Sequence, residues 1–152
     1  MATLLSTQLT NDAASPPVRG EFNRNGSALR YKLGTYALSG SEAAADVVQM
    51  VKVPKGAIIN QRLSYIEWED LGTTVTFDVG DGDDDDRYCS SLVGGTASAT
   101  TVTTFEEARG VAVYTAVKEY TAEDTIDLTL DTVSTPTAAA VVEMHVFYTM
   151  NG

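Results

Sequence analysis

Strict alternation of apolar and polar side chains is the feature of this sequence that most constrains its fold. It spans residues 73–79 and recurs over 126–131, and the less strictly alternating segment Ala139 to Met150 carries Val142, Met144, Val146 and Tyr148 on one face. Successive side chains of a β-strand point to opposite faces, so each segment predicts a strand with one buried face. The residues expected on the buried faces are Val75, Phe77, Val79, Ile126, Leu128, Leu130, Val142, Met144, Val146 and Tyr148.

Turn residues divide the rest of the chain into further strands. Pro54-Lys55-Gly56 ends a β-branched run, and Leu71-Gly72 ends a long apolar one. The additional predicted strands are Leu29 to Leu33, which Gly34 interrupts, Val47 to Val53, Ile58 to Glu69 and Val111 to Tyr120. The segments expected to lack regular structure are the loop Gly80 to Asp86 and the long, poorly structured excursion Ser90 to Thr104.

Evenly spaced strands with almost no helical pattern indicate an all-β fold. They favour an antiparallel β-sandwich or jelly roll. An immunoglobulin-like sandwich is an alternative, because Trp68 is present, although the cysteine pair of that fold is missing. With 152 residues in the chain, we expect a single sandwich domain over residues 29–152.

Residues 1–28 are predicted to form an extended N-terminal arm. This polar segment carries Pro16-Pro17, which favours extended backbone, and the turn signal Asn25-Gly26. Such an arm is either a loose terminus or a segment that orders against a neighbouring subunit. The first six residues lack the basic and apolar regions of a signal peptide, so we expect synthesis in a cytoplasm without export through the Sec pathway.

The charge balance narrows the range of partners. Ten Lys and Arg residues face 21 Asp and Glu residues, which gives a formal net charge of -11. Nucleic acids and anionic membrane surfaces would repel such a chain, whereas a basic protein surface would attract it. The single cysteine, Cys89, cannot form an internal disulfide, so the fold is expected to need no oxidising compartment.

The acidic segment Gly80 to Asp86 is the one place where the sequence suggests a metal. Its aspartates offer the hard oxygen ligands that calcium prefers, but the Gly and Glu that an EF-hand needs at its sixth and twelfth positions are replaced by Asp86 and Leu92. A solvated, self-repelling loop steadied by Arg87 is the favoured interpretation. A non-EF calcium site is the alternative, and its speculative ligands are Asp81, Asp83, Asp85 and Asp86.

Catalytic templates lack their essential residues. His145 is the only histidine and Cys89 the only cysteine, so one chain cannot supply a His/Cys zinc cluster, and no Gly-x-Ser-x-Gly nucleophile motif occurs. The phase of His145 is opposite to that of Met144 and Val146, which predicts a surface or interface position. Acidic residues beside Trp68 could form a glycosidase pair, but their place near a strand end explains them more simply. We therefore expect no enzyme activity, no catalytic residues and no cofactor.

Three segments together resemble small virion proteins of tailed bacteriophages. They are the valine-rich strand and turn at 46–57, the Leu-Gly strand ending in Val-Gly-Asp at 71–81, and the Asp-Arg-Tyr segment at 83–88. In size and plan the chain is most similar to capsid cement, or decoration, proteins. The resemblance implies a jelly-roll or β-tulip-like domain on the outer capsid, bound between major capsid protein subunits as a homodimer or homotrimer. In this family an extended terminus ties the domain to its neighbours, and no catalytic residue is implied.

The function predicted from the sequence is cementing of the major capsid protein lattice by a non-enzymatic virion protein. The expected partners are the major capsid protein and further copies of this chain, with no nucleic acid and no membrane. The expected location is the outer capsid surface of a virion assembled in the cytoplasm of a bacterial host. Two alternatives remain, namely a tail, neck or head-fibre component, and a calcium- or carbohydrate-binding β-sandwich module.

Overall fold

The predicted all-β fold is confirmed. The structure, a computed structural model, describes residues 3–6, 10, 29–95, 101–105 and 118–150. Its strands are β1 (Thr3–Leu5), β2 (Arg30–Ala37), β3 (Val47–Val53), β4 (Ala57–Ile59), β5 (Tyr65–Trp68), β6 (Gly72–Thr73), β7 (Thr76–Asp81), β8 (Asp84–Val93), β9 (Thr101–Thr104), β10 (Asp124–Thr132), β11 (Thr135–Pro136) and β12 (Val141–Met150). Within these ranges, no helix is long and apolar enough to cross a membrane.

The strands form two larger sheets and a small two-stranded one. Sheet I has the order β1-β3-β10-β7-β8, and sheet II has the order β2-β12-β5-β9 with β4 also paired to β12. Strands β6 and β11 form the small sheet. Pairing between the described strands is antiparallel except between β1 and β3, which run parallel.

The apolar faces of sheets I and II pack together as one core. All ten residues that the alternation placed on buried faces are buried, so this part of the sequence prediction is confirmed. Trp68 of sheet II meets Phe77 of sheet I edge to face, with ring centroids 5.1 Å apart. Burial of a large apolar side chain contributes about 1.5–3 kcal/mol, so this shared core holds the sandwich closed.

Gly34 lies inside β2, so the expectation that it interrupts this strand is wrong. It pairs with Met144 of β12 and faces sheet I. A Cβ atom at this position would lie 2.5 Å from the Met50 carbonyl oxygen and 2.9 Å from Cγ2 of Val51. The glycine is therefore what allows β2 to approach the backbone of β3 so closely.

Substitution Gly34→Ala is expected to lower the free energy of unfolding by about 1–3 kcal/mol, because the added methyl overpacks the junction of the two sheets. Urea denaturation followed by circular dichroism measures the effect. Ala37→Ser, at an exposed position in the same strand, is the matched control and should change stability by less than about 0.5 kcal/mol. Equal stability of the two variants would contradict the close approach of the sheets.

Two segments predicted as irregular are largely strand. Strand β7 continues to Asp81 and β8 begins at Asp84, so the expected loop is a tight hairpin. Both strands extend into the predicted loop because Asp81 of β7 pairs directly with Asp84 of β8 in the antiparallel register. In the segment Ser90 to Thr104, β8 reaches Val93 and β9 covers Thr101–Thr104. The prediction of poor structure is wrong for these parts, and residues 96–100 lie outside the described residues.

The long strand predicted over Ile58 to Glu69 is divided by a turn into β4 and β5. The carbonyl of Asn60 accepts a hydrogen bond from the Ser64 amide at 2.9 Å, and its side-chain oxygen accepts one from the Leu63 amide at 3.2 Å. Asparagine commonly stabilises turns in this way. The turn was not predicted because the apolar residues on both sides of Asn60 resemble one continuous strand. Most of the strand predicted from Val111 lies outside the described residues; within it, Glu119 forms an isolated bridge with Ile58.

The first described residues belong to sheet I. Strand β1 runs parallel to Val47–Gln49, and the Ser6 amide donates a hydrogen bond to the Gln49 carbonyl at 2.8 Å. The Ser6 hydroxyl donates another to the Met50 carbonyl at 2.5 Å. Residues 3–5 of the predicted arm thus form a sheet strand, while residues 1–2, 7–9 and 11–28 lie outside the described residues and their extended conformation stays a prediction.

Candidate functional site

The four aspartates proposed as metal ligands divide into two groups. Asp81 and Asp83 both contact Lys118. Asp85 and Asp86 lie with Asp84 in an acidic group on β8 whose carboxylate oxygens come within 4.8 Å of one another. Lys118 thus neutralises the first pair of predicted ligands, whereas the second pair lies among like charges, and calcium binding by these aspartates stays a prediction.

Asp81 is the centre of a buried ion cluster. It ends β7 opposite Ile126 of β10, which points its side chain toward the core, where it has no exposed surface. Its Oδ2 accepts hydrogen bonds from Arg87 Nε at 2.6 Å, Lys118 Nζ at 2.9 Å and Tyr120 Oη at 3.0 Å. Its Oδ1 accepts one from the Asp83 amide at 3.1 Å.

These contacts keep the cluster ionised. Burial by itself raises the pKa of Asp81, but the hydrogen bonds from Lys118, Arg87, Tyr120 and the Asp83 amide outweigh it and lower the pKa. Burial lowers the pKa of Lys118 and Arg87, and the bonds to Asp81 more than reverse this, so both pKa values are raised. With two cations and a phenol on one carboxylate, the cluster serves as a structural link and not as an open metal site.

Tyr120 connects this cluster to sheet II. Its hydroxyl lies 2.7 Å from that of Tyr88, and burial raises the pKa of both phenols, which stay neutral. The Tyr120 amide donates to the Ala57 carbonyl at 2.9 Å, and the Gly56 amide donates to the Tyr120 carbonyl at 2.7 Å. The β7–β8 hairpin is thereby tied to the start of β4. Sequence reasoning identified Arg87 as a counter-charge but missed Lys118 and Tyr120, which no local motif places near Asp81.

The outer side of sheet II carries a second feature, which we call the aromatic face and define by Tyr31, Tyr65, His145 and Phe147. The rings of Tyr65 and His145 stack 4.2 Å apart at an interplanar angle of 10°. Those of Tyr31 and Phe147 lie 4.9 Å apart. His145 is on the outward side of β12, as its phase predicted; whether this face is an interface stays a prediction.

Two carboxylates adjoin the histidine on this face. His145 Nε2 lies 3.1 Å from Glu67 Oε1 and 4.0 Å from Glu143 Oε2, and its Nδ1 lies 2.8 Å from the Tyr31 hydroxyl. The grouping arises from register, because Glu143 pairs with Glu67 and His145 with Tyr65 across β12 and β5. Sequence reasoning missed it, since only this strand pairing brings Glu67 next to His145.

The acidic residues beside Trp68 take separate roles. Glu67 contacts His145, whereas Glu69 Oε2 accepts a hydrogen bond from the Val141 amide at 3.0 Å. Asp70 Oδ1 accepts one from the Gly72 amide at 3.0 Å. Glu67 and Glu69 line a groove of about 340 Å³, together with Trp68, Val141 and Glu143.

Comparison with known proteins gives matches at the level of structure. No protein-family model matches the sequence, and no curated protein matches it significantly. A chain from the capsid of Ralstonia phage GP4 superposes with a TM-score of 0.69 and 16% identity, covering 99% of both chains. A chain from the capsid asymmetric unit of cyanophage Pam1 gives a TM-score of 0.60 and 22% identity, covering 91% of this chain and 98% of that one.

A third similar structure is the acid-stable capsid of Helicobacter pylori bacteriophage KHP30. One of its chains matches with a TM-score of 0.52 and 13% identity over 83% of this chain and 90% of that one. This chain therefore shares its β-sandwich fold with chains found in three phage capsids. Because the matches cover nearly all of the other chains, those chains are of similar length to this one.

Proposed function

We propose that this chain is a non-enzymatic structural protein of a phage virion, which binds the outside of the capsid and cements the major capsid protein lattice. The observation that carries the proposal is the fold shared with a capsid chain over 99% of both chains. A match of that extent includes the whole sandwich, so the fold occurs in a capsid as a complete small subunit and not as one part of a larger shell protein.

The charge of the chain supports a position on the outer surface. A formal net charge of -11 would repel packaged nucleic acid inside the shell. On the outside, the same charge suits contact with a basic surface of the major capsid protein and keeps the free protein soluble.

The aromatic face supplies a suitable contact surface. Tyr31 is 37% exposed, and Val102, opposite Glu67 on β9, is 54% exposed. Aromatic side chains are enriched in protein interfaces because they bury a large area with few rotatable bonds. Each copy need bind only weakly, since homodimers or homotrimers that engage several lattice positions at once gain stability through avidity.

Particles that lack this protein are expected to release their DNA at a temperature several degrees lower than complete particles. The physical reason is the loss of bound protein, which stabilises the assembled shell by mass action. Release can be followed with a DNA-binding dye during heating, and adding back the purified protein should restore the original temperature.

Copy number separates the capsid from other virion parts. Quantitative gel analysis should give hundreds of copies per particle for a capsid protein, whereas six or twelve copies would place it in a neck or tail.

Unchanged DNA release in particles that lack the protein would exclude the cementing role. When purified variants are added back, Tyr31→Ser should rebind less well than the wild type because it alters the aromatic face. The control Asp85→Asn, which lies outside that face, should rebind normally.

A further inference from the structure

We propose that His145, Glu67 and Glu143 form a binding site for a zinc ion on the outer face of sheet II. The three residues are brought together by adjacent strands, β5 and β12, and not by a loop. Sites on paired strands are held more exactly than sites on loops, because the sheet fixes the backbone of each ligand. Nothing in the proposed cementing role requires this grouping.

The distances suit a single tetrahedral ion. Two atoms that each lie about 2.1 Å from such an ion are about 3.4 Å apart. His145 Nε2 is 3.1 Å from Glu67 Oε1 and 4.0 Å from Glu143 Oε2, and the potential ligand atoms all lie within 4.8 Å of one another. Small side-chain rotations would therefore bring all three atoms into zinc coordination.

The histidine ring is already oriented for this role. Its Nδ1 is 2.8 Å from the Tyr31 hydroxyl, and its ring stacks on Tyr65 at 4.2 Å. If Nδ1 carries the proton and donates it to Tyr31, the lone pair of Nε2 faces the two carboxylates. A partner on the second ring nitrogen is the arrangement that fixes the tautomer of most metal-binding histidines.

The pairing of Glu67 with Glu143 is independently informative. They are direct cross-strand partners, and like charges in that position destabilise a sheet. A divalent cation would neutralise both carboxylates. An imidazole with two carboxylates suits zinc, whereas calcium prefers six to eight oxygen ligands. Three protein ligands would leave the fourth position of a tetrahedral zinc ion to water or to a side chain of a partner.

Zinc binding can be measured on the tag-free, full-length protein by isothermal titration calorimetry with zinc chloride. We expect saturable binding of one ion per chain, and E67Q/E143Q should weaken it by about 100-fold. Tyr31→Phe, which removes only the hydroxyl on Nδ1, should weaken it by about 10-fold. Because His145 is the only histidine of the chain, its imidazole NMR signals should shift during the titration.

The control variant D85N/D86N removes two charges from the acidic group on β8 and should bind zinc as the wild type does. Melting curves without metal establish that each variant is folded, and H145Q provides a second test if E67Q/E143Q unfolds. Unchanged affinity in both H145Q and E67Q/E143Q would overturn the assignment. So would loss of binding in D85N/D86N, or the absence of saturable binding in the wild type.

Discussion

Substitution Asp81→Asn should lower the free energy of unfolding by about 3–5 kcal/mol, the usual cost of removing one partner from a buried ion pair. Asparagine has nearly the same shape as aspartate, so the effect would not come from a cavity. It would come from Arg87 and Lys118, which would lose the negative charge of the fully buried carboxylate that they now share. Urea denaturation at pH 7 gives the value.

Asp83→Asn is the matched control, because it removes a charge that also contacts Lys118 but has a side chain that is 77% exposed. An exposed ion pair contributes little, so the expected loss is below about 1 kcal/mol. Similar losses in Asp81→Asn and Asp83→Asn would show that burial of the cluster does not determine its contribution.

The pH dependence of this contribution has a definite sign. The folded pKa of Asp81 lies below its ordinary value of 3.8, so the folded state holds this proton less tightly than the unfolded state. The stabilisation by Asp81 is therefore fully present above pH 3.8 and is lost as the pH falls through the folded pKa. The difference in stability between wild type and Asp81→Asn should shrink over the same acidic range.

Asp127→Asn is expected to have the opposite effect and to stabilise the protein by about 2–3 kcal/mol at pH 8. Asp127 of β10 is 8% exposed, and its Oδ1 has no hydrogen-bond partner among the described residues. Burial, with smaller contributions from Asp124 and Asp81, raises its pKa to about 6 despite a hydrogen bond from Thr125. A pKa of about 6 in place of 3.8 corresponds to a cost of about 3 kcal/mol for keeping the carboxylate ionised.

The gain from Asp127→Asn should disappear in acid. Because the folded pKa lies above the unfolded value, the wild type itself recovers this stability as the pH falls from about 6 to 3.8. The melting temperature of Asp127→Asn should therefore exceed that of the wild type at pH 8, and the two should be nearly equal at pH 4. Asp131→Asn, at an exposed position of the same strand, should show no such convergence; a destabilised Asp127→Asn at pH 8 would contradict the prediction.

The strands and their buried faces could be predicted wherever one face meets the core. In β12 each buried residue alternates with an outward one, and the same alternation in β10 is broken only at Asp127, which is buried between Ile126 and Leu128. Gly34 could not be interpreted in this way, since its role depends on the backbone of β3 in the other sheet. The turn at Asn60 was missed because apolar residues on both sides continue the strand pattern.

The two sites differ in how much of them the sequence shows. Acidic residues at 81–86 are obvious, but their charge suggests a solvated loop, and burial of Asp81 follows only from pairing with β10. The group around His145 is not visible at all before β12 is paired with β5, because register alone decides which residues share a face. Local sequence patterns were therefore enough to predict the β-strands. The Asp81 cluster and the group around His145 depend on pairing between strands that are distant in the sequence.

The parallel pairing of β1 with β3 has a consequence for how copies of the chain could join. Three paired residues and Ser6 hold this segment at the edge of sheet I, and an identical segment from another copy would make the same hydrogen bonds. Without β1, the unpaired backbone groups of β3 could pair with any extended chain. Strand β1 therefore protects this edge from non-specific pairing. If copies exchanged this segment, the edge of β3 would stay covered, and the polypeptide that follows the segment would link one subunit to the next.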